Sequence, residues 1–290
     1  MKYKEYIDCI SKKITALGVH KGDILYIASD ATKIVKTAQN DLGAKSKSDR
    51  DTFLNELIDM LQQLVGEKGT LLFPVFNWDF CKGETFDYKK TQGKVGALNN
   101  FVLNNRGDFK RTRHAIYSFM VWGKDQNTLC AMDNQEAFGT NSPFAYLRNN
   151  DAKQLTLGTD VAKGITYFHF VEQQLRVPYR HQKFFMGKYV DEFGNVENRV
   201  YSQFVRDISI NYEFVLSDEF LEREKAIRIS FCNGWKVSLA NLTDIHCVIK
   251  TDILDGAKNI YYIEGYDVKE HMKEKDGKYE INYLKDGVLI

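Results

Sequence analysis

Apolar positions recur with helical spacing at the start of the chain. Tyr6, Ile7, Ile10, Ile14 and Leu17 share one face, which predicts an amphipathic helix over residues 3–17, stopped by Gly18. Gly22 and Asp23 lead into a short strand at residues 24–27, followed by a polar loop at 28–32. Residues 40–47 are polar and read as a mobile loop. Ser48 and Asp49 are N-cap candidates for a helix from about residue 51 to 65, whose apolar face is Phe53, Leu54, Leu57, Ile58, Leu61 and Leu64. Gly66 to Gly69 forms a turn. Residues 70–76, Thr-Leu-Leu-Phe-Pro-Val-Phe, are nearly continuously apolar, as a strand covered on both faces requires.

The rhythm continues with a loop at 77–94, a helix at 95–105, a strand at 115–122 and a helix at 124–132. A loop holding Ser142-Pro143, a helix at 144–149, a strand at 154–158 and a helix at 163–174 follow. Strands alternating with helices at this pace predict an α/β protein with a mostly parallel sheet covered on both faces. Past Pro178 the texture changes. Strands are expected at 184–190 and 197–205 around a turn at 191–195. Residues 227–241 and 244–250 read as a strand pair, or as a strand and a turn. The chain reads as one domain over residues 1–290, an α/β core to residue 180 and a β-richer part over 181–290.

Composition narrows the function classes. Apolar residues make up 43% and charged residues 27%, ordinary for a globular chain. No apolar run approaches the ~20 residues needed to span a bilayer. The N-terminus carries mixed charge without an apolar core, so neither a signal peptide nor membrane insertion is expected. Five scattered cysteines (Cys9, Cys81, Cys130, Cys232, Cys247) form no Cys-x-x-Cys pair. They suggest neither a metal site nor a disulfide framework, and point to a reducing, cytoplasmic compartment. Cys81 lies in the loop at 77–94 with no histidine beside it, which argues against a nucleophile. Forty basic against 39 acidic residues leave no basic stripe for nucleic acid. There is no Gly-x-Gly-x-x-Gly fingerprint and no P-loop.

The candidate chemistry sits at residues 164–172, Gly-Ile-Thr-Tyr-Phe-His-Phe-Val-Glu. Thr166, His169 and Glu172 are three apart, and a helix over 163–174 would align them on one face. A histidine just after a strand and a glycine-containing turn lies where open α/β sheets carry their chemistry. The alternative is a buried face of Phe168, Phe170, Val171 and Leu175, with His169 a hydrogen-bonded core histidine.

Five segments in order resemble the aminoglycoside N(3)-acetyltransferases. Residues 22–30, Gly-Asp-Ile-Leu-Tyr-Ile-Ala-Ser-Asp, resemble the family's opening strand and serine-bearing loop. Residues 69–76 resemble its Gly-Thr-Leu, strand and proline segment. Residues 111–118, Arg-Thr-Arg-His-Ala-Ile-Tyr-Ser, are similar to its Arg-Ser-x-His-Pro-x-x-Ser element. Residues 138–143 resemble the Ser-Pro element, and Leu155-Thr-Leu-Gly158 with Thr166, His169 and Glu172 resembles the Leu-Leu-Gly and Thr-x-x-His-x-x-Glu signature. Together they span residues 22–180.

The resemblance implies a three-layer α/β/α fold and acetyl transfer from acetyl-CoA to an amine. It assigns His169 as general base, a role that suits a side chain titrating near working pH. Thr166 would line the site. Glu172 would orient the imidazole or hold a substrate amine, or else be a helix-surface carboxylate. Departures are local. The first loop reads Ala28-Ser29-Asp30 where relatives often carry a histidine before a serine pair, and Ala115 replaces a proline. Resistance enzymes of the family pair the histidine with a downstream acid, for which Asp207 and Glu197 are the candidates.

The phosphates of CoA call for hydroxyls, cations and backbone N–H groups. Ser29, Asp30 and Thr32 form one candidate cofactor site; Arg111, Arg113, His114 and Ser118 form a second. No metal is called for. On the acceptor side, Asn77, Trp78 and Asp79 line the loop after the second strand, and Tyr179, Arg180, His181 and Lys183 make a basic, aromatic run. That run favours a phosphorylated or nucleotide-linked amino sugar of surface-glycan biosynthesis. An aminoglycoside-resistance enzyme is the first alternative, and a non-catalytic descendant that binds CoA or a glycan is the second. Oligomeric state is left open, a homodimer included.

Overall fold

The computed structural model describes residues 2–43, 46–263 and 265–274. In chain order its elements are α1 (Lys2–Ala16), β1 (Ile24–Ser29), α2 (Ala31–Leu42), α3 (Lys47–Val65), β2 (Thr70–Pro74), β3 (Phe86–Asp87), α4 (Ala97–Asn105), β4 (Lys110–Arg111), β5 (Phe119–Gly123), α5 (Gln126–Ala131), α6 (Pro143–Asn149) and β6 (Lys153–Leu157). There follow α7 (Val161–Gly164), α8 (Phe168–Leu175), β7 (Arg180–Val190), β8 (Val196–Arg206), β9 (Tyr212–Phe214), α9 (Asp218–Arg223), β10 (Ile227–Cys232), β11 (Trp235–Asn241), α10 (Leu242–Leu254), β12 (Tyr261–Ile263) and α11 (Val268–Glu274).

The main sheet has seven strands in the order β10-β11-β6-β1-β2-β5-β4. At its centre β6, β1 and β2 run parallel, with Tyr26 of β1 opposite Leu72 on one side and Gln154 on the other. Antiparallel strands extend this parallel centre both ways, β5 and β4 beside β2, β11 and β10 beside β6. Alternation along β1 divides the core. Leu25 and Ile27 join the side chains of α1, α2, α3 and α4, among them Ile10, Ile34, Leu57 and Leu98. Tyr26 faces the opposite layer, where Phe144 of α6, Phe170 and Val171 of α8, and Ile245 and Ile249 of α10 meet it. Helices therefore cover both faces, giving three layers. A separate three-stranded sheet, β3-β7-β8, and a two-stranded ribbon, β9 with β12, stand beside this core.

Several local expectations need correction. The polar residues 28–32 do not stay a loop: Asp30 caps α2 by accepting from the Lys33 N–H at 3.1 Å, and Ile34, Val35 and Ala38 bury one face of that helix. The cap of α3 is Ser46, not Ser48. Its hydroxyl accepts the Asp49 N–H and the Asp49 carboxylate accepts the Ser46 N–H, so Asp49 closes a capping box. Part of the loop expected at 40–47 lies in α2 and α3, and residues 44 and 45 fall outside the described residues. Residues 244–250 are helical, inside α10, whose start is capped by Asn241. The strand expected at 115–122 begins only at Phe119. The helix expected over 163–174 is two pieces, α7 and α8, so Thr166 lies in the turn between them and not on the face of His169. At the end of β6, Gly158 adopts a φ of 78°; a Cβ there would come within 3.1 Å of the Asp30 oxygen and of Ile34. The turn that leads to α7 therefore favours glycine.

Candidate active site

The carboxyl ends of the three parallel strands open into a pocket of about 470 Å³, which Tyr26, Ser29, Thr32, Asn99, Lys163 and Thr166 help to line. This is where an open α/β sheet places its ligand, and the volume is that of a small-molecule site. Two lining atoms, Ser29 Oγ and Asn99 Oδ1, are buried without a protein hydrogen-bond partner. The Thr166 hydroxyl engages the phenol of Tyr26, which burial pushes up and out of the titrating range. A larger cavity, about 710 Å³, lies between α1 and α3, lined by Lys4, Asp8, His20 and Glu56 and by none of the candidate residues. The smaller pocket is the one that Ser29, Asp30, Thr32 and Thr166 line.

One turn beyond Thr166 stands the histidine. The His169 N–H donates to the Thr166 carbonyl at 3.1 Å, so the pocket wall and α8 are joined through this bond. His169 Nδ1 is 2.7 Å from Glu172 Oε2, and the histidine side chain keeps 21% exposure while the Glu172 side chain has none. A carboxylate at Nδ1 holds the proton on that nitrogen and leaves Nε2 as the basic one. Glu172 is itself fastened: Arg180 Nε lies 2.8 Å from Oε2, and the Tyr261 hydroxyl donates to Oε1 at 2.9 Å. Burial would raise the Glu172 pKa, but the Arg180 charge and the bonds from His169 and Tyr261 outweigh it and hold the group ionised. His169 is pushed below the ordinary histidine value, by burial first and by the Arg180 charge second, against the pull of Glu172. At neutral pH the imidazole is an unprotonated base.

An aromatic wall continues from the imidazole. Phe138 lies 5.7 Å from His169 and 4.9 Å from Tyr117, ring to ring. Trp78 Nε1 donates to the Tyr117 oxygen at 3.3 Å, and Tyr117 donates to Gln203 at 3.1 Å. Gln203 reaches Cys81 Sγ at 3.6 Å, and burial lifts that thiol to about 12, so Cys81 is no thiolate nucleophile.

Ser29, Asp30, Thr32 and Thr166 line the pocket, and His169 and Glu172 pair on α8, tied to it by the bond from the His169 N–H to Thr166. Asp30 borders the pocket, but its carboxylate occupies the start of α2 and carries the sign that repels phosphate, which corrects its assignment to the cofactor. The second cofactor group is also corrected. Arg111 is 2% exposed and binds the carbonyls of Tyr88, Thr91 and Val75 and the hydroxyl of Ser118, with its guanidinium 4.6 Å over Phe86. His114 accepts the N–H groups of Ile116 and Tyr117 at Nδ1 and meets the Gln135 carbonyl with Nε2. Burial drives its pKa down to about 3. Both side chains, with Ser118, fasten a bend. Arg113 points to Glu192 at the tip of the β7–β8 hairpin, 3.7 Å away.

On the acceptor side, Asn77 binds the Gln92 carbonyl and the Asp79 N–H, a loop-building role. Asp79 is paired with Lys94 at 2.6 Å, a bond that lowers its pKa. Trp78 remains on the aromatic wall. Tyr179 is fully buried and Arg180 is the counter-ion of Glu172, so neither is a free contact for an acceptor. Asp207 accepts from the Ser209 N–H and hydroxyl in the turn after β8, and Glu197 pairs with Arg199. The carboxylate at His169 Nδ1 is Glu172. Sequence reasoning missed Tyr261 altogether, because a lone tyrosine in a short strand carries no signal of a partner 89 residues earlier. Among the described residues no group of three or more metal-ligating side chains comes together, and no helix is long and apolar enough to cross a membrane.

An imidazole paired with a buried carboxylate, joined through Thr166 to a pocket at the strand ends, is free to take up a proton at Nε2. Residues 35–251 match the family model described as aminoglycoside 3-N-acetyltransferase. The chain belongs to that family, acetyltransferases whose acyl donor is acetyl-CoA. A curated relative, the SPbeta prophage-derived aminoglycoside N(3')-acetyltransferase-like protein YokD of Bacillus subtilis (strain 168), is 25% identical over 194 residues, 59% of this chain and 65% of its own length. The chain thus spans about two thirds of the length of that relative. Among solved structures, aminoglycoside acetyltransferase AAC(3)-Xa superposes with a TM-score of 0.67 at 18% identity, over 86% of this chain and 92% of its own. AAC-IIIb in binary complex with CoASH gives 0.68 at 16% identity, over 85% and 95%. YokD gives 0.66 at 20% identity, over 86% and 99%. At these identities the superpositions establish the shared fold.

Proposed function

We propose that this protein transfers the acetyl group of acetyl-CoA to an amine of an aminoglycoside, with His169 as the general base. The observation that carries the reading is the 2.7 Å bond between His169 Nδ1 and buried Glu172, next to a pocket at the strand ends. An amino-sugar nitrogen is protonated at neutral pH and cannot attack until it loses that proton. His169 Nε2 removes it, Glu172 steadies the imidazolium that forms, and the amine nitrogen adds to the thioester carbonyl. Collapse of the tetrahedral adduct breaks the carbon–sulfur bond, and the proton that the adduct nitrogen gives up passes to the departing sulfur, so CoA leaves as thiol and the amide is neutral. Ser29, Thr32, Asn99, Lys163 and Thr166 offer the pantetheine arm and phosphates their polar contacts; Lys163 is the cation among them, exposed and paired with Asp160 at 2.8 Å, a surface pair that an anion can displace.

Acceptor choice favours an aminoglycoside over a nucleotide-linked amino sugar. The phosphate reading rested on the run Tyr179, Arg180, His181 and Lys183, of which Tyr179 is buried and Arg180 has its charge neutralised by Glu172 at 2.8 Å. The family name points the same way. The test is a side-by-side kcat/KM for sisomicin, a simple amino sugar and its nucleoside diphosphate form, with the acetylated product identified by mass spectrometry. Preference for sisomicin by tenfold or more is the expected outcome. Preference for the nucleotide-linked sugar would return the protein to glycan biosynthesis.

A further inference from the structure

The chain after α10 returns to the catalytic helix, beyond the end of the family match at residue 251. There β12 pairs antiparallel with β9, placing Tyr261 opposite Phe214. The ribbon lies against α8: the Phe214 ring stacks on Phe168 at 5.3 Å, and Tyr261 sits 6.4 Å from the same ring and 4.5 Å from Tyr212. This packing aims the Tyr261 hydroxyl at Glu172 Oε1, 2.9 Å away. Arg180, the first residue of β7, approaches Oε2 with Nε at 2.8 Å, donates from one terminal nitrogen to the Tyr261 oxygen at 3.2 Å, and from the other to the Phe204 carbonyl at 3.1 Å. Oε1 therefore accepts from Tyr261, while Oε2 has the hydrogen bond of His169 and the ionic contact of Arg180, whose Nε lies close but outside hydrogen-bond geometry.

We propose that Arg180 and Tyr261 are positioning residues of the acyl transfer, which hold Glu172 ionised in one orientation and thereby set the proton affinity of His169. This inference rests on His169 as the base. A carboxylate with no exposed surface protonates or rotates unless its oxygens are satisfied. Arg180 also opposes a second positive charge on the imidazole, so it offsets the pull of Glu172. The titratable groups facing the pair are Glu172 and Arg180, with Tyr179, Tyr212 and Tyr261 around them; burial, first among the causes, raises all three phenols above their ordinary value. The remaining ring neighbours, Phe138 and Phe168, are apolar. On the other side of α8, His246 pairs with Tyr167 at 3.2 Å and does not touch His169. The local field is thus that of one carboxylate and one guanidinium.

A brace that only held the β9–β12 ribbon in place would cost stability on mutation without moving the titration of His169. The experiment is an NMR titration of the His169 imidazole in the acceptor-free full-length protein, the signal identified by its loss in His169→Ala, for wild type, Tyr261→Phe, Arg180→Lys and Arg180→Met. Arg180→Met removes the opposing charge and should raise the midpoint by about one pH unit, the size of a single close-charge effect. Tyr261→Phe frees Oε1 to pull harder on the imidazolium and should raise it by a few tenths of a unit, while Arg180→Lys should stay near wild type. The acid limb of kcat/KM should move in the same order. Should Arg180→Met fail to fold, Tyr261→Phe and Arg180→Lys decide. An unmoved midpoint in folded Tyr261→Phe, or in Arg180→Met where it folds, would overturn the proposal. Because the titration needs no turnover, its result stands apart from whether the protein acetylates any acceptor.

Discussion

Two regions of the molecule each bring a histidine and an arginine together, and they use them in different ways. At the bend between β4 and β5, Arg111 and His114 are satisfied by main-chain carbonyls, main-chain N–H groups and one serine. At α8, His169 and Arg180 share one carboxylate, and the histidine side chain stays 21% exposed. A buried imidazole held by backbone N–H groups is fixed as an acceptor, so burial drives it to about 3 and it has no proton to exchange near neutrality. A part-exposed imidazole on a carboxylate keeps Nε2 as its basic nitrogen. Partner and burial differ together: His114 is enclosed among main-chain groups, and His169 is part-exposed on a carboxylate.

The sharpest way to break this comparison is to remove the shared acid. Glu172→Gln leaves Arg180 buried without its counter-charge, which should cost about 3–5 kcal/mol of stability. Denaturant titration reads it, and a loss under 1 kcal/mol would mean that Arg180 finds another partner. At the bend, Arg111→Met strips several buried carbonyls of their donor and should cost about 2–4 kcal/mol. Turnover per folded molecule and the acetyl-CoA KM should be unchanged; a raised KM would restore Arg111 to the cofactor site.

The same contrast has a pH signature. His114 binds a proton at about 6.5 in the unfolded chain and at about 3 in the folded one. Its contribution to stability is complete above pH 6.5 and is lost as pH falls through that window, because only the unfolded state takes up the proton. His114→Gln should flatten this acid-side loss relative to wild type in urea titrations at pH 7, 6 and 5; parallel slopes would contradict the assignment. The smallest effect is expected at Arg113, half-exposed against Glu192. Arg113→Ala should change stability by no more than about 0.5 kcal/mol and leave the acetyl-CoA KM within twofold.

Much of this contrast was hidden in the sequence, for physical reasons. The parallel centre of the sheet was legible in Ile24–Ile27 and in Thr70–Phe76, because strands buried on both faces must be apolar throughout. So was the pairing of His169 with Glu172, since the two stand three apart on one helix. What failed was the assignment of partners. Arg111, Arg113, His114 and Ser118 look like an anion cradle when their neighbours are unknown, and only the folded loops show carbonyls where phosphates were imagined. Arg180 looked like an acceptor contact because Glu172 lies on a different element. Helix α2 was overlooked behind polar residues, although Asp30 ahead of Ile34, Val35 and Ala38 was a usable cap-and-face signal. The break between α7 and α8 had no clear mark, since Ile165 and Thr166 are compatible with a helix.

The central claim, that acetyl transfer runs through His169, has a direct test. Release of free CoA thiol from acetyl-CoA in the presence of sisomicin can be followed for wild type, His169→Ala and His114→Gln at equal concentrations of folded protein. The account predicts rapid release by wild type and near-normal release by His114→Gln, with release by His169→Ala slower by about two to four orders of magnitude, the range for loss of a positioned base. Release by His169→Ala within a few-fold of wild type would contradict it.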